Sequence, residues 1–104
     1  PSGTALRLAE AATSARATAT RVVHGREGRP GPRHSNEVGM HAVRGGDVVG
    51  DHVVSLMTQG ERIELAHRAT TRDVFAHGAL RAARWIAGRP AGRYTLRDVL
   101  AVKR

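Results

Sequence analysis

The chain has 104 residues, no cysteine and a formal net charge of +8. That length fits one small domain, or part of a larger one, with a modest core, and the absence of cysteine excludes a disulfide framework and a thiolate metal site while suiting a cytoplasmic protein. No apolar run approaches the length of a membrane span, and the charge is carried by scattered arginines with Lys103 as the only lysine, so neither a membrane nor a nucleic-acid partner is expected. Phe75, Trp85 and Tyr94 are the only aromatic residues, too few for a base-stacking platform.

The chain opens Pro1-Ser2-Gly3-Thr4-Ala5-Leu6, and a helix is predicted over residues 4 to about 16, with Ala5, Leu8, Ala12 and Ala15 at helical spacing. Gly3 has no Cβ and admits close backbone approach, while Ser2 and Thr4 bring hydroxyls common at helix starts. Such an end carries partial positive charge and unpaired N–H groups, so it reads either as a plain cap or as an anion site for a carboxylate or phosphate. Neither hydroxyl has Glu or Gln three residues on, so no capping box favours either register. A chain that starts with proline on the threshold of a helix is expected to have been preceded by further residues.

Thr18 to Val23 allows a short strand. His24 to Ser35, with Gly25, Gly28, Pro30, Gly31 and Pro32, reads as an exposed loop. Three strands are then expected in a meander: Val38 to Val43, a turn at Arg44-Gly45-Gly46-Asp47, Val48 to Gln59, a turn at Gly60, and Glu61 to Ala69. In the last strand Ile63, Leu65, His67 and Ala69 share one face. One sheet face should take the first helix, and the other is apolar enough to suggest cover by another subunit. A second helix is predicted from Arg72 to about Gly88, with Phe75, Ala79, Ala82 and Ile86 in one stripe, Thr70 or Thr71 as cap, and Gly88 and Pro90 ending it. A short closing element spans Tyr94 to Val102, with Val99 and Leu100 expected inward. The resulting fold class is α+β: an open mixed, largely antiparallel sheet with a helix before it and a helix after it.

Six histidines are present, but none pairs at helical ligand spacing. His41, His52 and His67 lie on neighbouring predicted strands, where hydrogen-bonded histidines are commoner than ligands, so no metal is assigned. Asp47 and Asp51 flank a turn without an acid/base partner, no serine sits on a nucleophile elbow, and Gly25, Gly28 and Gly31 lack the strand and helix context of a nucleotide loop. Residue types and spacing alone therefore stop at an α+β piece with a helix-end anion site and an associating sheet.

Several motifs together extend this reading. Pro1 to Leu6, Gly25-Arg26-Glu27-Gly28, Val43-Arg44-Gly45-Gly46-Asp47-Val48-Val49-Gly50-Asp51-His52, Gly60 to Ala69, Arg72 with Phe75-Ala76 and Gly78-Ala79, and Arg97-Asp98-Val99-Leu100 resemble, in order and spacing, the C-terminal part of the 4-hydroxy-tetrahydrodipicolinate reductase (dihydrodipicolinate reductase) family of lysine and diaminopimelate biosynthesis. The resemblance covers essentially the whole chain. It implies a domain that binds a small dicarboxylate substrate and forms a homotetramer through its sheet, joined in the full enzyme to an N-terminal Rossmann-type domain that binds NADH or NADPH. It implies substrate binding by Ser2, Gly3 and Thr4, and cofactor contact by Arg72 and Phe75, although Phe75 also reads as a core residue of its helix. The family's histidine- and lysine-containing segment that supplies the proton precedes Pro1, so no catalytic residue is expected here and these 104 residues alone are expected to be inactive. On this reading residues 1–71 form the incomplete substrate-binding and tetramerisation domain, and 72–104 a helix and tail that would pack on the nucleotide domain. The alternative is a small basic oligomeric module whose arginines bind a polyanion; steep loss of affinity with salt would mark it.

Overall fold

A computed structural model describes residues 1–102. They form α1 (Gly3–Ser14), β1 (Arg21–His24), β2 (Glu37–Met40), β3 (Gly50–Met57), β4 (Arg62–Ala69), α2 (Asp73–Ile86) and α3 (Leu96–Leu100). The chain divides into two compact units, Pro1–Arg68 and the part from Ala69 onward.

In the first unit α1 packs mainly on β2 and β3. Its inward stripe is Ala5, Ala9, Ala12 and Thr13, all half-buried, small residues that let a helix lie close to strands. The α+β class holds, but the expected single open sheet does not. Among the described residues there are two two-stranded sheets, β1 with β2 and β3 with β4. The first is parallel, with Arg21 opposite Glu37, Val22 opposite Val38, Val23 opposite Gly39 and His24 opposite Met40. The predicted meander is therefore corrected: β2 pairs with the strand before it, and the Arg44–Asp47 segment connects two sheets instead of closing a hairpin. The physical reason lies in the loop between His24 and Glu37. About a dozen residues suffice to carry the chain back and lay β2 beside β1 in the same direction. The loop is exposed from Arg26 to Asn36, as read from the sequence, and tied near its ends: Gly25 N–H donates to Met40 O at 2.8 Å, and the Arg16 guanidinium donates to Ser35 O at 2.9 Å.

The second sheet is closed by Thr58–Glu61, where Thr58 N–H donates to Glu61 O at 3.0 Å and Gly60 takes φ 87°. A connection this short closes an antiparallel hairpin. Asp51 meets Arg68 at 3.5 Å and Ser55 meets Glu64 at 3.3 Å, which places polar partners along one face. The other face carries His52, Val54, Leu56, Ile63 and Leu65. Because α1 covers β2 and β3, the β4 part of this face stays open: Ile63 is 58% and Leu65 63% exposed, with Leu56 at 51%. Uncovered apolar surface therefore lies on both sides of the hairpin: Leu56, Ile63 and Leu65 beyond the helix's reach, and Val53 and Met57, 50% and 65% exposed, on the face turned away from it. The core is correspondingly small, with Met40, Ala69 and Glu37 the buried residues among those described.

In the second unit the cap of α2 is Arg72, which makes no side-chain cap bond, so the cap expected at Thr70 or Thr71 is corrected. The Thr71 hydroxyl instead accepts from Asp73 N–H at 2.9 Å in the turn before the helix, and Gly88 at φ 77° follows the end of α2. α3 docks against α2 around Ala82, Trp85, Ile86, Tyr94, Leu96 and Val99, which line a half-open groove of about 160 Å³. Trp85 and Tyr94 meet edge to face, 5.3 Å between centroids, and the Arg89 guanidinium lies 3.5 Å over the Trp85 ring. Val99 is half-buried as predicted, but Leu100 is 46% exposed, a correction. The α2 stripe is only partly covered: Phe75 is 54% exposed, so its reading as a core residue does not hold within this unit.

Candidate functional site

The start of α1 is built by Ser2. Its backbone is extended (φ −73°, ψ 162°), its carbonyl accepts the first helical bond from Leu6 N–H at 3.0 Å, and its hydroxyl accepts from Ala5 N–H at 3.2 Å. Ser2 is therefore the cap, settling the register that the sequence left open between Ser2 and Thr4. A helix has no internal acceptors for its first N–H groups. With Ala5 and Leu6 satisfied, the donors left at this end are those of Ser2, Gly3 and Thr4, of which Gly3 and Thr4 are exposed. A methyl group at Gly3 would meet nothing within 4 Å. No packing among the described residues requires glycine there, which leaves room beside these donors for a ligand. These donors, the helix dipole and the hydroxyls of Ser2 and Thr4 can together hold an anion.

One contact at this end was not foreseen. His52, on β3, places Nε2 2.9 Å from Ser2 Oγ. The sequence had set His52 beside His41 and His67 as strand histidines, but the three do not gather. The ring of His41 folds against Gly39, its Nε2 3.4 Å from where a Cβ on that residue would lie. Among the described residues no three His, Cys, Asp or Glu side chains come together as a ligand set.

A second polar centre also escaped the sequence reading. Glu37 is buried, 6% exposed, and its carboxylate accepts from Arg21 at 2.9 Å and from Arg26 at 2.8 Å. The Arg26 hydrogen bond, reinforced by Arg21 and by both positive charges, holds its carboxyl below the usual 4.5, against the opposing effect of burial. Arg26 is thus a structural clamp on β2 rather than a loop cation awaiting a partner. No local spacing betrays the trio, because the parallel crossover brings its members together.

Arg72 stands immediately before α2, its carbonyl accepting from Phe75 N–H at 3.0 Å, and Phe75 lies in the first turn. A cation and an exposed ring are thereby presented at one helix start, a donor set suited to a phosphate and a planar heterocycle. A groove of about 550 Å³ lies elsewhere in this unit between Trp85, Arg89, Tyr94 and Arg97. Its charged groups are largely engaged: Arg89 stacks on Trp85 and donates through Nε to its carbonyl, and the Asp98 carboxylate accepts from Thr95 N–H at 2.6 Å and from the Thr95 hydroxyl at 2.7 Å. Those two bonds, the hydroxyl's first, keep the Asp98 carboxyl below its usual range. No helix among the described residues is long and apolar enough to cross a membrane.

Comparison with known proteins gives a consistent picture. The family model "Dihydrodipicolinate reductase, C-terminus" matches residues 1–100. The chain is 55% identical over 105 residues to a 4-hydroxy-tetrahydrodipicolinate reductase of Myxococcus xanthus, covering all of this chain and 39% of that protein. It is 55% identical over 104 residues to the enzyme of the same name from Akkermansia muciniphila, covering 98% of this chain and 42% of the relative. The Aquifex aeolicus reductase is 54% identical over 102 residues, with 98% and 38% covered. The chain spans about two fifths of the length of these curated relatives.

Proposed function

Because the chain belongs to the dihydrodipicolinate reductase C-terminal family, we propose that it is the substrate-binding and assembling part of a 4-hydroxy-tetrahydrodipicolinate reductase of lysine and diaminopimelate biosynthesis. The observation that carries this reading is the start of α1, where Ser2 caps the helix while Gly3 and Thr4 are exposed and their N–H groups have no acceptor among the described residues. There one carboxylate of a small dicarboxylate substrate accepts from these donors and from the Thr4 hydroxyl, and the helix dipole offsets its charge. The role of these residues is to bind and orient; none of them is placed to move a proton. The nicotinamide cofactor, NADH or NADPH, supplies hydride when bound. Arg72 and Phe75 fit a contact with it through a guanidinium and an exposed ring.

The proposed division is a substrate-binding and tetramerising part at 1–71 and a helix and tail at 72–104 that pack on a nucleotide-binding domain. The exposed stripe of α2 and the open β4 face support a protein whose apolar surfaces are covered by further domains and copies. A soluble, cytoplasmic homotetramer is the assembly this reading implies. The test is binding of pyridine-2,6-dicarboxylate by the natural gene product that carries this chain. Binding is expected, and Thr4→Val should abolish it. Unchanged binding in Thr4→Val would show that the anion site lies elsewhere.

A further inference from the structure

We infer that His52 is a positioning residue for dicarboxylate recognition: by donating from Nε2 to Ser2 Oγ it releases the Ser2 hydroxyl hydrogen for the bound carboxylate. This rests on the anion-site reading above and adds to it a residue from a different element. A serine hydroxyl has one hydrogen to donate and two lone pairs to accept with. One lone pair is taken by Ala5 N–H at 3.2 Å. His52 Nε2, at 2.9 Å, uses one of the two that remain.

If Nε2 lacks a proton, it accepts the serine hydrogen. The hydroxyl then has only a lone pair left to show, which repels a carboxylate. If Nε2 carries a proton, it donates to the second lone pair. The oxygen is then saturated as an acceptor, and its hydrogen is free to point outward beside the N–H groups of Gly3 and Thr4. Both the Nε2–H tautomer and the imidazolium satisfy this second arrangement, and a bound carboxylate selects it over the first. His52 reaches Ser2 from β3, fifty residues along the chain, so the contact also ties the helix start to a strand and limits the directions in which the hydroxyl can swing. The ring never touches the ligand. Its effect passes through Ser2.

The test is a double-mutant cycle read by calorimetric titration of pyridine-2,6-dicarboxylate into the natural gene product. His52→Phe removes the donor and should weaken binding by about tenfold to a hundredfold, the range for one hydrogen bond to a charged group. Ser2→Ala should weaken it by a similar factor, and the double variant should lose little more than either alone. His52→Gln, whose amide can donate, should retain most of the affinity. A His52 that merely props the strand would give losses that multiply in the double variant and no rescue by glutamine, and either result overturns the inference. Nitrogen-15 spectra of the unaltered protein supply a readout independent of any variant's folding: Nε2 of His52 should be protonated in the complex, and an unprotonated Nε2 overturns the inference. Thr4→Val separates this proposal from the one beneath it. Loss of binding in Thr4→Val with none in His52→Phe removes only the role of His52, whereas unchanged binding in Thr4→Val removes the site and the inference together.

Discussion

Leu65→Asp tests whether the open face of the β3–β4 hairpin is an assembly surface. Leu65 and Ile63 are 63% and 58% exposed, and Leu56 is 51% exposed beside them. Full burial of such a side chain is worth about 1.5–3 kcal/mol, so roughly 1–2 kcal/mol apiece remains to be gained when a second copy covers them. A symmetric contact counts each residue twice, and loss of Leu65 alone then removes about 2–4 kcal/mol from each pairwise interface, on the order of 30- to 1,000-fold in its dissociation constant. The buried carboxylate adds a desolvation cost of the same sign. Within one chain the substitution should matter little, because Leu65 already faces solvent there. Sedimentation velocity of the natural gene product across a concentration series should show the assembly dissociating, with the thermal midpoint of the dissociated protein nearly unchanged. Ala66→Asp, on the opposite face with the exposed Val53 and Met57, tests the rival surface and should leave assembly intact. An unchanged oligomeric state in Leu65→Asp, or equal disruption by Ala66→Asp, would refute the assignment of this face.

The clamp on Glu37 makes stability pH-dependent in a definite direction. Its folded carboxyl titrates below the ordinary 4.5, so its stabilising contribution is complete above that value and is lost as pH falls through the lowered one. Arg26→Ala removes the largest cause of the lowering, and acid unfolding followed by circular dichroism should then begin at higher pH; an unshifted profile would mean that Arg26 does not hold the carboxylate. At the far end of the chain, Ala101 closes α3 with φ 52°, a left-handed conformation that glycine adopts without the Cβ penalty. Ala101→Gly should therefore raise the free energy of unfolding by about 1 kcal/mol in denaturant titrations, and a loss of stability would contradict that conformation.

The helices were legible because a period near 3.6 is written into Ala5, Ala12, Ala82 and Ile86 directly, and the end of α2 because Gly88 and Pro90 act locally, whereas its start at Arg72 carries no side-chain cap to read. The strands were legible as strands, since alternation in Glu61 to Ala69 needs no partner to be visible. Their pairing was not. Nothing in the composition of β1 or β2 says that the Gly25–Asn36 loop folds back as a crossover, and a meander is the simpler reading of consecutive strands. The same blindness hid Glu37, whose partners lie 11 and 16 residues away and meet it only once the parallel register is set. At the candidate site, Ser2, Gly3 and Thr4 could be named from their residue types and from the family resemblance. His52 could not, because its contact with Ser2 depends on where α1 crosses β3. Exposure of the apolar residues on β4 and α2 was anticipated in kind, but that Ile63 and Leu65 stay open on the helix side as well follows from the reach of a helix that covers β2 and β3.

The most direct test of the account is to supply freshly generated 4-hydroxy-tetrahydrodipicolinate to the natural gene product that carries this chain and follow consumption of NADH and of NADPH. The account predicts substrate-dependent consumption of at least one of them, with loss of that activity in Thr4→Val. A gene product of the relatives' full length that consumes neither would contradict it.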